Sequence, residues 1–267
     1  MTAALDSQAA AHPRDIALAE RLADIGRAVT LRHFRAGGAI ATKADSSPVS
    51  AADHEAEDAM RAAIAAARPA DGIEGEERAA TRAGASRVWH IDPLDGTQPF
   101  ALGVPTFATL ITLVTEGVPV LGVVEMPALG ERWLGVRGQP TLHIGAGGWR
   151  SVTTRVRQRL DAAWLGTSRP YPNAPAGARI PLMAAVAATE RGGESLNYGL
   201  LASGFLDLAI DAGLDPHDYL PLKLVIEGAG GVVTDTAGRA LPTDGIRDIL
   251  AAATPEVHAQ ALARMAG

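Results

Sequence analysis

The sequence predicts a layered α/β sandwich (α+β in connectivity), with helix and sheet layers alternating. Long runs with apolar residues at helical spacing alternate with short, apolar, β-leaning runs. Two of the β-leaning runs, Phe107 to Val114 and Val118 to Val124, surround the turn Glu116-Gly117-Val118-Pro119 and read as an antiparallel hairpin. No regular β-α-β rhythm recurs, which points away from a TIM barrel. The 267 residues, 47% hydrophobic and 20% charged, suit a single unit 1–267, with 13–145 and 149–267 as possible closely packed halves.

Taken in order, Met1 to His12 reads as a short tail. It has no basic segment followed by an apolar one, so it does not resemble a signal peptide. From Pro13 to Phe34, Ile16, Leu18, Leu22, Ile25, Val29 and Leu31 recur at helical spacing. Asp15 and Glu20 lie near the start and Arg32 and His33 near the end, complementing the helix dipole, and Gly37 and Gly38 stop the helix. A second helical pattern, Asp53 to Ala67, has Met60 and Ile64 four apart and closes at Pro69. Val88 to Ile91 is a short strand, and Glu131 to Val136 adds another after the hairpin. Gly145 to Gly148 reads as a glycine-rich hinge, the one place for an internal boundary. Beyond it, Val152, Thr154 and Val156 alternate with Arg155, Arg157 and Arg159, whose side reads as a solvated strand face, with phosphate binding as the alternative. Ile180 to Glu190 and Ser195 to Gly204 read as helices, Leu206 to Ile210 as a strand, and Pro216 to Glu227 as a helix with two prolines in its first turns. Gly228-Ala-Gly230-Gly231 ends that helix before the strand Val232 to Thr234.

Composition excludes several chemistries. With no cysteine there are no disulfides, zinc–thiolate sites, iron–sulfur clusters or cysteine nucleophiles. A net charge of −6 disfavours a nucleic-acid-binding surface, but leaves a phosphorylated small molecule open, since bound cations can supply local positive field. The longest apolar stretch, Val104 to Met126, is broken by Glu116, Gly117 and Pro119 and cannot span a bilayer as one helix. The default expectation is a cytoplasmic protein without a membrane partner.

The most informative stretch is Asp92-Pro93-Leu94-Asp95-Gly96-Thr97. Its bland reading is a strand end followed by an Asx-type turn, because Asp, Pro and Gly all form turns. Acids in other settings weigh against that: Asp53 opening a helix, Glu76 in Gly75-Glu76-Glu77, and Asp218 at another helix start. Singly, each is a cap, a turn residue or a dipole-complementing acid. Jointly, Glu76, Asp92, Asp95 and Asp218 form an all-oxygen donor set that selects Mg2+ or Mn2+ over zinc. Such a set suits phosphoryl transfer, with Asp53 and Thr97 close enough to hold an attacking water. Without cations the acids would repel one another.

These segments resemble the inositol monophosphatase superfamily of magnesium-dependent phosphatases. The matching pieces are Asp45-Ser-Ser-Pro48-Val-Ser-Ala-Ala-Asp53, Gly75-Glu76-Glu77, Trp89 to Thr97 with Phe100, and Asp218 through Glu227-Gly-Ala-Gly230-Gly231, in the family's order from about Ala17 to Asp235. Gly103-Val-Pro105-Thr-Phe107-Ala-Thr109-Leu-Ile111 and Pro216-His-Asp218-Tyr-Leu220 make the histidinol-phosphate phosphatase branch the most similar. The resemblance implies a sugar-phosphatase-like fold, with a metal-binding first half and a substrate-side second half. It implies one Mg2+ on Glu76, Asp92, Asp95 and the Leu94 carbonyl, a second on Asp92, Asp95 and Asp218, and a weaker third near Asp53 and Glu76. Thr97 with Asp53 would activate water, and the N–H groups of Gly96 and Thr97 would receive the phosphate. The catalytic set implied is thus Thr97, Asp53 and Glu76, acting on a small phosphate monoester, usually in a homodimer. Departures from the branch are His217 for an aromatic, Gln98-Pro99 after Thr97, Asp211 where glutamate is commoner and Glu194 where aspartate is. By motif position Glu194, Asp211 and His217 read the leaving group. The substrate alternatives are inositol 1-phosphate and a nucleotide 3′-phosphate, and the remote alternative is a non-catalytic metal-binding regulator.

Overall fold

The computed structural model describes residues 11–37, 40–42, 48–168 and 179–266. The tail up to residue 10, Gly38 and the stretch 43–47, with the start of the Asp45–Asp53 motif, lie outside them. Helices are α1 (Pro13–His33), α2 (Ala51–Ala67), α3 (Thr97–Ala101), α4 (Arg179–Met183), α5 (Leu196–Ala202), α6 (Pro216–Gly228) and α7 (Pro255–Ala266). Strands are β1 (Ile40–Thr42), β2 (Pro48–Ser50), β3 (Gly72–Gly75), β4 (Arg87–Asp95), β5 (Ala108–Thr115), β6 (Val118–Met126), β7 (Glu131–Val136), β8 (Leu142–Gly145), β9 (Gly148–Ser151), β10 (Trp164–Thr167), β11 (Ala188–Arg191), β12 (Leu208–Leu214), β13 (Val232–Asp235) and β14 (Arg247–Ala252).

The expected layering is present. A seven-stranded sheet runs β3 to β9 in sequence order, and a five-stranded sheet has the order β11-β10-β12-β14-β13. Side chains alternate across a strand, so β5 serves two cores: Ile111 and Leu113 meet Leu22, Met60 and Ile64 of α1 and α2, while Leu110 meets Tyr198, Leu220 and Val225 of α5 and α6. The second core also takes Ile249 of β14, so residues of both sheets share it. A third layer of contacts packs Leu182 of α4 and Val257 of α7 against Leu165, Ile210 and Leu250. Among the described residues no helix is long and apolar enough to cross a membrane.

Several elements differ from the sequence reading. The Gly145–Gly148 hinge is a hairpin turn: Gly145 pairs with Gly148 between β8 and β9, and Gly148 takes φ +82°, so the glycines serve turn geometry. Ile180 to Glu190 is not one helix. Helix α4 ends at Met183, and Ala188 to Arg191 joins β10 as a parallel strand, pairing that local propensity does not encode. The Arg155 and Arg157 side chains are not a solvated strand face; both grip the fully buried carboxylate of Asp207, which also accepts the Trp164 N–H. Those charge-assisted bonds outweigh the upward pull of burial and hold Asp207 below the usual carboxylate range.

One packing contact positions the site. Helix α6 lies so close on the sheet that a Cβ at Gly135 would sit 2.5 Å from the Leu224 carbonyl carbon, and one at Gly122 2.9 Å from Pro221 Cα. Gly135→Ala is therefore expected to cost about 1–3 kcal/mol, the usual penalty of overpacking, read as a lower denaturant midpoint.

Candidate functional site

Strand β4 delivers two carboxylates to one place through a bulge. In a regular strand, residues three apart point to opposite faces. Here Asp92 pairs with Leu110 but Asp95 with Ala108, so β4 holds one residue more than β5 over that interval, and the extra residue returns Asp95 to the side of Asp92. Asp92 Oδ1 accepts the Leu94 N–H at 2.8 Å, the Asx-type element of the bland reading, now inside a strand. Thr109 Oγ1 donates to the Pro93 carbonyl at 2.9 Å and ties the bulge to β5.

Around this bulge the other acids gather. Glu76 follows β3, which runs parallel to β4, and its carboxyl hydrogen-bonds Asp92. Asp218 stands in the first turn of α6, where Oδ2 accepts the Asp215 N–H at 2.8 Å in a capping box. Burial, followed by repulsion from Glu76, Asp95 and Asp218, pushes Asp92 well above the ordinary carboxylate range. Burial likewise raises Asp95, with Ser195 hydrogen bonds opposing and Glu76 reinforcing the rise. Burial raises Asp218 to about 7 even though His217 pulls it down. Asp95 Oδ2 is buried with no hydrogen-bond partner. Mutually repelling buried acids with an orphaned oxygen are the donor set a divalent cation satisfies. The metal-capable trio whose donor atoms lie within 4.8 Å of one another, among the described residues, is Asp215, His217 and Asp218. Asp215, three residues ahead of Asp218, was not among the expected ligands. His217, expected beside the leaving group, lies next to Asp218, with Nε2 3.5 Å from Oδ1.

Asp53 lies in the first turn of α2, two residues inside it, so it is not the helix cap. It is fully buried, and the Thr97 hydroxyl reaches its Oδ1 at 3.2 Å and the Leu94 carbonyl at 3.1 Å. Gly96 precedes α3 with φ +80°, and a Cβ there would sit 3.1 Å from the Thr106 carbonyl oxygen, so the turn requires glycine.

The residues expected on the substrate side, Glu194 and Asp211, sit on the second sheet and its connections. Glu194 is buried and held at φ +49°, a left-handed conformation costing of order 1–3 kcal/mol in a non-glycine residue. Its neighbour Ser195 donates its hydroxyl and backbone N–H to Asp95, which ties this turn to the acidic centre. Asp211, on β12, accepts the Tyr198 hydroxyl at 3.1 Å and the Ser168 N–H at 2.8 Å. Sequence reasoning missed Ser195; a serine at a helix start reads as a cap, yet its side chain makes no capping bond.

Residues 14–266 match the sequence profile of the Inositol monophosphatase family. The chain is 37% identical over 239 residues to the Histidinol-phosphatase of Mycobacterium tuberculosis, covering 86% of this chain and 91% of that protein. It is also 37% identical over 268 residues to the Bifunctional phosphatase IMPL2, chloroplastic, of Arabidopsis thaliana, covering 93% of this chain and 74% of that protein. Among solved structures, an inositol monophosphatase from Zymomonas mobilis is similar with a TM-score of 0.86 and 39% identity, covering 97% of this chain and all of that one.

Proposed function

The chain belongs to the inositol monophosphatase family and is a phosphoric monoester hydrolase; from that premise we propose that it is a magnesium-dependent histidinol-phosphate phosphatase. The observation that carries the substrate is Glu194, a buried carboxylate one residue from the serine bonded to Asp95. An ammonium-bearing leaving group gains a charge-assisted hydrogen bond there that a hydroxyl cannot match. The histidinol-phosphatase name of the Mycobacterium tuberculosis relative supports the same substrate.

In this reading Glu76, Asp92, Asp95, Asp218 and the Leu94 carbonyl would hold two or three Mg2+ ions, with Mn2+ as a substitute and Asp53 as a further acid near them. Bound magnesium supplies positive charge to the phosphoryl oxygens and makes a nearby water easier to deprotonate. Thr97, its own hydroxyl hydrogen directed to Asp53, offers a lone pair that accepts a hydrogen bond from the attacking water. The N–H groups of Gly96 and Thr97 receive phosphate oxygens, and hydrolysis proceeds without a covalent enzyme intermediate. Glu194 and Asp211 face the leaving group. A homodimer is the assembly that the resemblance implies, and the cytoplasm is the default setting read from the sequence.

Thr97→Ala is expected to lower kcat by roughly 10²–10⁴-fold, the range for a positioned proton-transfer group, with metal affinity retained. Turnover within a few-fold of the unmodified enzyme would refute that role. The substrate is tested by kcat/KM, where specificity resides. The expected result is greater efficiency on L-histidinol phosphate than on inositol 1-phosphate, a preference lost selectively in Glu194→Ala. The second reading, inositol 1-phosphate as substrate, is favoured by the likeness to the Zymomonas mobilis inositol monophosphatase; equal or better use of that ester would establish it.

A further inference from the structure

Helix α2 carries a second buried acid one turn after Asp53, and the phosphatase reading gives it no task. Glu57 is fully buried, and three donors converge on its carboxylate. The Glu77 N–H reaches Oε2 at 2.7 Å, while the Arg78 N–H and Arg61 Nε reach Oε1 at 3.1 and 2.7 Å. The two backbone donors belong to the turn that follows β3, so this side chain takes the place of the ladder partners the turn lacks. Arg61 closes the arrangement from the other side by donating through Nη2 to the Arg78 carbonyl at 3.0 Å. Gly75 makes the approach possible: a Cβ there would lie 2.3 Å from Glu57 Oε1.

The residue enclosed by these contacts is Glu76, between Gly75 and Glu77. Its backbone is fixed on one side by the β3–β4 pairing, which ends at Gly75 opposite Ile91, and on the other by the two bonds to Glu57. Asp53 and Glu57 are four residues apart, so they lie on the same face of α2. One helix face therefore carries both the acid that takes the Thr97 hydroxyl and the acid that anchors the turn bearing Glu76.

We infer that Glu57 is a positioning residue for metal binding, aiming Glu76 at the Asp92–Asp95 bulge through the backbone of residues 77 and 78. The inference rests on Glu76 being a metal ligand. A group supporting a ligand typically changes metal affinity or activity 10–100-fold when lost. In Glu57→Gln the shape stays but one acceptor oxygen becomes an NH2 group facing a donor.

The test is Mn2+ binding to the metal-stripped full chain by electron paramagnetic resonance, for the unmodified protein, Glu57→Gln, Gly75→Ala and Glu76→Gln. Steady-state kinetics on a phosphate monoester at rising metal accompany it. The expected result is a Kd for Mn2+ raised about tenfold or more in Glu57→Gln, with turnover recovering at high metal and the ester KM at saturating metal unchanged. A merely structural role would lower stability without moving that metal dependence. Gly75→Ala, which pushes the turn off an intact Glu57, is expected to behave alike and carries the test should Glu57→Gln not fold. Unmodified affinity in Glu57→Gln and Gly75→Ala, with weakened binding in Glu76→Gln, overturns the inference and leaves the metal reading standing. Unmodified affinity in Glu76→Gln overturns both.

Discussion

Asp95→Asn is expected to lower turnover by at least about 10³-fold, the scale of losing one preorganised electrostatic contact to the transition state, while the fold persists. Asp95 reaches the centre only because of the β4 bulge, and its Oδ2 is the buried atom without a partner. An amide keeps the shape and can keep the Ser195 bonds through its oxygen, but it removes one anionic ligand. In the metal-free protein the same change relieves repulsion, since burial and Glu76 raise the Asp95 pKa. The metal-free variant is therefore expected to melt higher than the metal-free parent at pH 8, although it binds Mg2+ more weakly. Turnover equal to the parent's would show that the hexapeptide is only a turn.

Stripping the metal is expected to make stability fall as pH rises from about 6.5 to 8, a window that starts at the midpoint of an unperturbed histidine. Asp218 titrates near 7 in the folded metal-free chain, against an ordinary value of 3.8. A folded pKa above the unfolded one means that the native state holds more protons, so its contribution is full below the unfolded value and lost as pH passes the folded one. At about 1.4 kcal/mol per pKa unit, the whole loss for Asp218 between its unfolded and folded values is several kcal/mol, of which only about 1 kcal/mol falls above pH 6.5. Asp92, Asp95 and His217 are also raised and act in the same direction. Burial lowers His90 to about 4 and also lowers His258, so these two oppose the trend only at more acidic pH. Bound cations keep the carboxylates ionised, so added Mg2+ should raise the melting temperature more at pH 8 than at pH 6.5. A metal-free melting temperature that rises over that interval would contradict the electrostatics of the centre.

Much of this was legible in the sequence because it is written in local pattern. The periodicity of Leu18, Leu22, Met60 and Ile64 marks α1 and α2, and the hairpin of β5 and β6 follows from its turn residues. Asp92, Asp95, Glu76 and Asp218 could be gathered by chemistry, since hard oxygen donors have few other reasons to converge. What was not legible depends on partners distant in sequence. The bulge at Pro93 and Leu94 exists only against Ala108 and Leu110. Arg155 and Arg157 look like a wet face until Asp207 is packed beneath them. Gly145 and Gly148 resemble a hinge until β8 and β9 pair. Strand β14 is a short apolar run with no period of its own, yet it sits between β12 and β13. Ser195 and Glu57 were passed over for the same reason, because their roles appear only when the chain brings Asp95 and the 75–78 turn to them.

The central claim is that the carboxylate centre works as a magnesium site for phosphate monoester hydrolysis. Its most direct test is phosphate release from L-histidinol phosphate by the exhaustively chelated protein, followed by titration with Mg2+. The account predicts no release above background after chelation and full recovery on adding Mg2+. Full activity in the chelated protein would contradict it.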